Sequence, residues 1–184
     1  MARLIDPSRQ LFASVVLPHL DSAYRLARGL AGGAADAEDI VQDACLRALK
    51  GIDGYAGGSA RAWFLTITRN AAFTHLARKR PSSVLLASNS EEAELAMEAA
   101  ADDAPDAEAG LIAQADAATL DAALDGLPPP FREIIVLREY NDLSYREIAD
   151  ITKTPIGTVM SRLARARALL LRALAPERLG KTAP

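Results

Sequence analysis

The sequence predicts an all-α protein with two helical domains, an N-terminal helical bundle and a C-terminal helix-turn-helix domain, joined by an acidic flexible linker. Three observations predict it. Half of the 184 residues are hydrophobic but only 5% are aromatic, and Ala, Leu and Arg dominate, a composition that favours helix over sheet. Apolar residues recur three and four apart towards both ends of the chain. Charge also falls into blocks: residues 1–80 carry +4 and residues 128–184 carry +4, whereas residues 81–127 hold 11 acidic residues and no basic one, within a total of -3.

The first helical stretch runs from Leu11 to Leu30, with apolar residues at Leu11, Val15, Leu20, Tyr24, Ala27 and Leu30, mostly three or four apart. Pro18 should kink or split it, because proline removes a backbone donor, and Gly32 and Gly33 should end it. Asp36 is placed to cap the next helix, with Glu38 and Asp39 in a first turn where the helix dipole favours anions. That helix continues through Ile40, Val41, Ala44 and Leu49 to Gly51 and contains Cys45, expected to pack as a small apolar residue. A glycine-rich break from Gly51 to Ser59 precedes a third helix, Ala60 to about Arg80, with a basic end at Arg78, Lys79 and Arg80. Trp63, Phe64, Arg69 and Asn70 lie in it. Aromatics and bases on one helix can stack on and pair with single-stranded DNA, although Trp63 or Phe64 taken alone reads as core.

Pro81 to Ser90 is rich in turn formers, and Glu91 to Ala109 is mostly Ala, Glu and Asp, too polar and self-repelling to hold a core. It reads as a solubilising linker, or more sharply as an anionic strand that competes with nucleic acid for a basic surface.

The C-terminal unit has the grammar of a helix-turn-helix: Ser144 to Ile151, a turn at Thr152 to Thr154, then Pro155 to Leu171. Ser144 and Glu147 form a capping box, and Thr154 before Pro155 offers an N-cap and an N1 proline. In the second helix Ile156, Val159, Leu163, Ala166 and Leu170 make an apolar stripe. Thr158, Ser161, Arg162 and Arg165 share the opposite face, Arg167 and Arg172 follow, and no acidic residue occurs between Pro155 and Arg172. Such a face suits DNA: arginines displace counterions from phosphates and, with the hydroxyls, address base edges. The competing reading is a solvated basic face on an ordinary bundle helix.

Several classes are disfavoured. One cysteine excludes an internal disulfide and fits a reducing cytoplasm. His19 and His75 have no companion at ligand spacing, so no metal and no other cofactor is expected. No stretch approaches the roughly 18 apolar residues of a membrane span, so no membrane insertion is expected and the chain reads as cytoplasmic. There is no GxxxxGK phosphate loop and no paired nucleophile and base, so an enzyme is not expected.

The succession DAEDIVQDACLRALKGID, ARAWFLTITRNAAFTHLARKR, an acidic linker, then LPPPFREIIVLREYNDLSYREIADITKTPIGTVMSRLARARALL resembles an extracytoplasmic-function (ECF) type bacterial RNA polymerase sigma factor over about Leu11 to Leu174. The resemblance implies a sigma-two-like domain at 8–80, a linker at 81–117 and a sigma-four-like domain at 118–176. It implies an alternative sigma factor that binds core RNA polymerase, through its beta-prime and beta subunits, and directs promoter-specific initiation in a stress or envelope response. The helix of Asp36 to Lys50 would dock on the beta-prime clamp through Asp39, Gln42, Asp43 and Arg47. Trp63, Arg69, Asn70, Arg78, Lys79 and Arg80 would recognise and help melt minus-ten DNA, with Asn70 near a flipped-base pocket. Lys153, Thr154, Thr158, Ser161, Arg162 and Arg165 would address the minus-thirty-five element. An anti-sigma factor is the further partner implied, and the linker would act as a nucleic-acid mimic in a polymerase channel.

Two positions depart from the family pattern. Lys153 stands where family members commonly carry a turn glycine, and Met160 where a basic residue often follows Gly-Thr-Val. The alternatives are a sigma-like decoy or partner-switch protein that binds an anti-sigma factor, and a helix-turn-helix transcriptional regulator, which would leave Asp36 to Arg80 without a role.

Overall fold

A computed structural model describes residues 6–79 and 117–174. All regular elements among them are helical, in the order α1 (Pro7–Val16), α2 (Leu20–Ala31), α3 (Ala34–Gly51), α4 (Ala60–Lys79), α5 (Ala117–Asp125), α6 (Pro129–Ile135), α7 (Tyr145–Thr152) and α8 (Ile156–Leu174). Short 3-10 turns at Leu17–His19 and Ile52–Gly54 and a π-helical turn at Val136–Tyr140 complete the set.

The local signals explain most of the boundaries. Pro18 splits the first stretch: α1 ends at Val16, and a tight turn carries the chain into α2. Gly32 closes α2 at φ 76°, its N–H bonded to the Arg28 carbonyl, a left-handed cap that glycine takes without steric cost. The next boundary corrects the expectation. α3 starts at Ala34 after Gly33, and Asp36 lies in its first turn rather than capping it. Its carboxylate instead meets His75 Nε2 at 3.1 Å and Lys79 Nζ at 2.5 Å, pinning the start of α3 to the end of α4.

In the C-terminal domain the capping box is present in both directions: Glu147 N–H donates to Ser144 Oγ, and Ser144 N–H donates to Glu147 Oε2. Lys153 follows α7 at φ 57°, ψ 37°, so a lysine holds the left-handed position. Thr154 does not start α8. Its hydroxyl shares a 2.7 Å hydrogen bond with that of Thr152, and α8 begins at Ile156 with the Pro155 carbonyl accepting from Val159 N–H. Val159, Leu163, Ala166 and Leu170 are buried as expected; Ile156 is not, remaining 48% exposed.

The two domains pack directly on one another, and their buried apolar residues form one continuous cluster. α2 lies against α6 and the π-helical turn, and α4 lies against α7. Gly29 allows this approach, because a Cβ there would come within 2.6 Å of a Val136 methyl. Polar contacts surround the seam. Arg28 bonds Asp121 at 2.9 Å, Arg132 reaches the Leu30 carbonyl at 3.3 Å, Arg61 donates to the Asn141 carbonyl, and Arg69 pairs with Glu133. The linker between the domains lies outside the described residues, and with it its expected mimicry of nucleic acid.

Candidate nucleic-acid interface

α4 combines an apolar underside with a polar upper edge. Phe64, Leu65, Thr68, Ala71 and Ala72 are buried, so Phe64 is core. Thr68 satisfies its buried hydroxyl on the Phe64 carbonyl at 2.9 Å. Trp63 is half-buried beside Tyr55, with ring centroids 5.2 Å apart and planes tilted by 56°. Tyr55 is itself tethered by its hydroxyl to the Gly58 carbonyl at 2.7 Å. The glycine-rich break therefore sets Tyr55 against Trp63 of α4. Asn70 is exposed one residue beyond Arg69, which also donates to Asn70 Oδ1 at 3.4 Å.

The basic residues of α4 divide. Arg78 is exposed, Lys79 is held by Asp36, and Arg80 lies outside the described residues. Arg69 is turned across the domain seam. Its guanidinium stands 4.9 Å from the Phe73 ring centre and grips Glu133, with Nη2 3.2 Å from Oε2 and Nε on Oε1. Glu133 is only 4% exposed. Burial pushes its carboxyl above the ordinary glutamate range, against the opposing pull of Arg69 and, more weakly, of Arg162.

That pull bears on the minus-thirty-five candidates. Arg162 is half-buried and lies within electrostatic reach of Glu133. The outer surface of α8 holds Ser161, which is exposed and bonded to the Thr158 carbonyl, together with Thr158 and Arg165, both half-buried. Exposed Ile156, exposed Met160 and exposed Lys153 border it. Arg167 is committed elsewhere, to Glu139 at 2.8 Å.

α3 carries the third candidate surface. Asp39 and Gln42 are exposed, and Asp43 pairs with Arg47 one turn on at 2.7 Å. Beside them Phe12, Val41, Cys45, Leu46 and Leu49 line a shallow apolar groove. Leu46 is 58% and Leu49 44% exposed. Burial raises the Cys45 thiol above its usual range, which keeps it protonated and apolar. Leu46, Leu49, Tyr55 and Glu133 were not among the sequence candidates. Leu46 and Leu49 had a visible signal, since both fall off the Ile40, Ala44, Ala48 stripe that faces the core.

Among the described residues no group of three or more His, Cys, Asp or Glu side chains is disposed to hold a metal ion. No helix among them is long and apolar enough to cross a membrane.

Residues 15–81 match the family model for sigma-70 region 2, and residues 117–170 match that for sigma-70 region 4. The chain is 35% identical over 160 residues to the ECF RNA polymerase sigma factor SigE of Mycolicibacterium smegmatis, covering 83% of this chain and 57% of that protein. It is 31% identical over 174 residues to the RNA polymerase sigma-H factor of Pseudomonas aeruginosa, covering 91% of this chain and 88% of that one. Among solved structures, the sigma factor RpoE in complex with the anti-sigma factor NepR from Bartonella quintana superimposes with a TM-score of 0.67 at 25% identity, covering 89% of this chain and 96% of that one.

Proposed function

Because this chain belongs to the ECF family of bacterial RNA polymerase sigma factors, we propose that it binds core RNA polymerase and directs promoter-specific initiation of transcription. The observation that carries this reading is that the region 2 and region 4 matches fall in order on two helical domains, each with its own candidate reading surface. The work is binding work in the cytoplasm rather than catalysis. Domain limits of 8–80 and 118–176 follow from the same reading, with residues 81–117 as the connector.

α3 would supply the polymerase contact. Asp39, Gln42, Asp43 and Arg47 give it polar specificity, and the exposed Leu46 and Leu49 beside them give it apolar area to bury, at about 25 cal/mol per Å². α4 would read the minus-ten strand. Extruding a base from the duplex costs a few kcal/mol, and stacking of bases on the Tyr55 and Trp63 rings, at about 1 to 3 kcal/mol per base, offsets that cost without ATP. Asn70, exposed one residue beyond Arg69, would hydrogen-bond such a base. α8 would enter the major groove at the minus-thirty-five element, with Ser161, Thr158 and Arg165 towards the bases. Met160 borders that face without a hydrogen-bond donor, so the polar contact that the family pattern supplies there is missing. An anti-sigma factor is proposed as the regulating partner.

The test is reconstitution. Purified chain added to core polymerase on its own upstream regions should give transcripts from a defined start site. Polymerase binding without transcripts would support a decoy, and DNA binding without polymerase association would support an ordinary repressor. Either would overturn the proposal.

A further inference from the structure

The closed packing of the two domains conflicts with the geometry of a promoter. Elements centred near minus ten and minus thirty-five are about 25 base pairs apart, or about 85 Å along a duplex with a 3.4 Å rise. A folded chain of this length has a radius of gyration of about 16 Å and is about 40 Å across. With α4 packed against α7, the two reading helices cannot reach both elements. Residues 80–116 can span about 120 Å at full extension, so the covalent connection permits separation. The closed form is therefore a state that precedes promoter reading, and something must hold it.

At the seam one carboxylate serves both readers. Glu133 is almost wholly buried, grips Arg69 of α4 through two hydrogen bonds, and feels the charge of Arg162 of α8. A carboxylate that meets an arginine fork with two oxygens presents it with the same planar pair of acceptors as a phosphate does. About one helical turn beyond Glu133 the fit is steric, with Gly29 of α2 against Val136.

We propose that Glu133 is an internal stand-in for DNA phosphate: in the closed chain it occupies Arg69 and lowers affinity for single-stranded DNA until the domains part. The inference rests on the reading of α4 as the minus-ten reader, and it assigns to the C-terminal domain a second role, that of inhibiting the N-terminal one. Opening would then be coupled to DNA capture, since a phosphate that replaces Glu133 on Arg69 removes one fastening of the seam. A chain outside polymerase would be spared futile binding to exposed single strands.

The test uses the full chain without polymerase. Small-angle scattering measures domain separation, and fluorescence anisotropy measures affinity for a labelled single-stranded oligonucleotide across a salt series. Glu133→Gln keeps the shape and removes the charge. It should raise the radius of gyration, tighten oligonucleotide binding about fivefold or more, and steepen the salt dependence by about one phosphate contact, a slope change near 0.7. Adding Arg69→Ala to Glu133→Gln should abolish the gain. Gly29→Leu leaves Glu133 itself unchanged and wedges the seam sterically at Val136, so it should open the chain and tighten DNA binding without removing the charge. Should Glu133→Gln lose its helical circular dichroism, the Gly29→Leu result decides alone. Variants that open without any gain in DNA affinity would overturn the proposal, as would a Glu133→Gln chain that folds, stays closed and binds as the parent does. Transcription by the parent chain with core polymerase is scored separately, so loss of the sigma-factor reading itself would be distinguishable.

Discussion

Replacing Lys153 with glycine should stabilise the C-terminal domain, although it removes a charge from the end of a helix. Lys153 follows α7 at φ 57°, ψ 37°, a left-handed conformation that costs an L-residue about 1 to 2 kcal/mol and glycine nothing. Glycine gives some of this back, since it loses about 0.5 to 1 kcal/mol more conformational freedom on folding. The lysine charge also favours the negative end of α7, by about 0.3 kcal/mol at so exposed a site, and salt screens this. Relief of strain wins by about 0.5 kcal/mol. For a chain of this size 1 kcal/mol moves the melting temperature by about 2 to 4 °C, so an increase of about 1 to 2 °C is expected in calorimetry, larger at 0.5 M salt than at 0.05 M. An unchanged or lower melting temperature at high salt would refute the reasoning, because it would mean that the left-handed turn carries no strain for glycine to release. The same variant should bind minus-thirty-five duplex more weakly if Lys153 also touches phosphate, so stability and affinity would move in opposite directions.

Three further outcomes follow from the same structure. Leu163, buried in the stripe of α8, should cost about 2 to 5 kcal/mol as Leu163→Ala in denaturant unfolding, whereas Arg165→Ala should leave the domain folded and reduce the salt slope of duplex binding by about one contact. Hydrogen bonds from the Ser144 hydroxyl and backbone hold the Glu147 carboxyl below its ordinary value of 4.5, so this box contributes stability above that pH and loses it as pH falls through the depressed value. Ser144→Ala should accordingly cost about 1 kcal/mol at pH 7, with the gap from the parent narrowing in unfolding curves below about pH 4. Leu46→Glu should leave the helical spectrum intact and weaken core-polymerase binding in a pull-down titration at least tenfold, since it places an isolated charge in an exposed apolar contact.

What was legible in the sequence was what short-range chemistry decides. Pro18, Gly32 and the Ser144 to Glu147 box each act within one helical turn, and each boundary falls where those residues put it. Asp36 misled because its carboxylate is a good cap in isolation, whereas Ala34 and Ala35 readily extend the helix backwards to Gly33 and leave the side chain for His75 and Lys79. Ile156 fits the period of α8 but sits in its first turn and stays 48% exposed, so the pattern continues past the core it describes. The seam was not legible at all. Arg69 and Glu133 are 64 residues apart, and nothing in a helical period indicates which carboxylate a helix on another domain will meet. Gly29 lies at the close approach to Val136, but a glycine within a helical period does not say which neighbour it admits.

Trp63 is the one tryptophan of the chain, and it stands in the helix assigned to strand capture, 5.2 Å from Tyr55. Its emission therefore arises from a single place, with a built-in donor ring beside it. A base that stacks there would quench the indole, and one that parts the rings would dim the energy passed from tyrosine. In the role proposed for α4 the chain would carry its own optical reporter, and capture of an unpaired strand would be timed in a stopped-flow instrument without attaching any label.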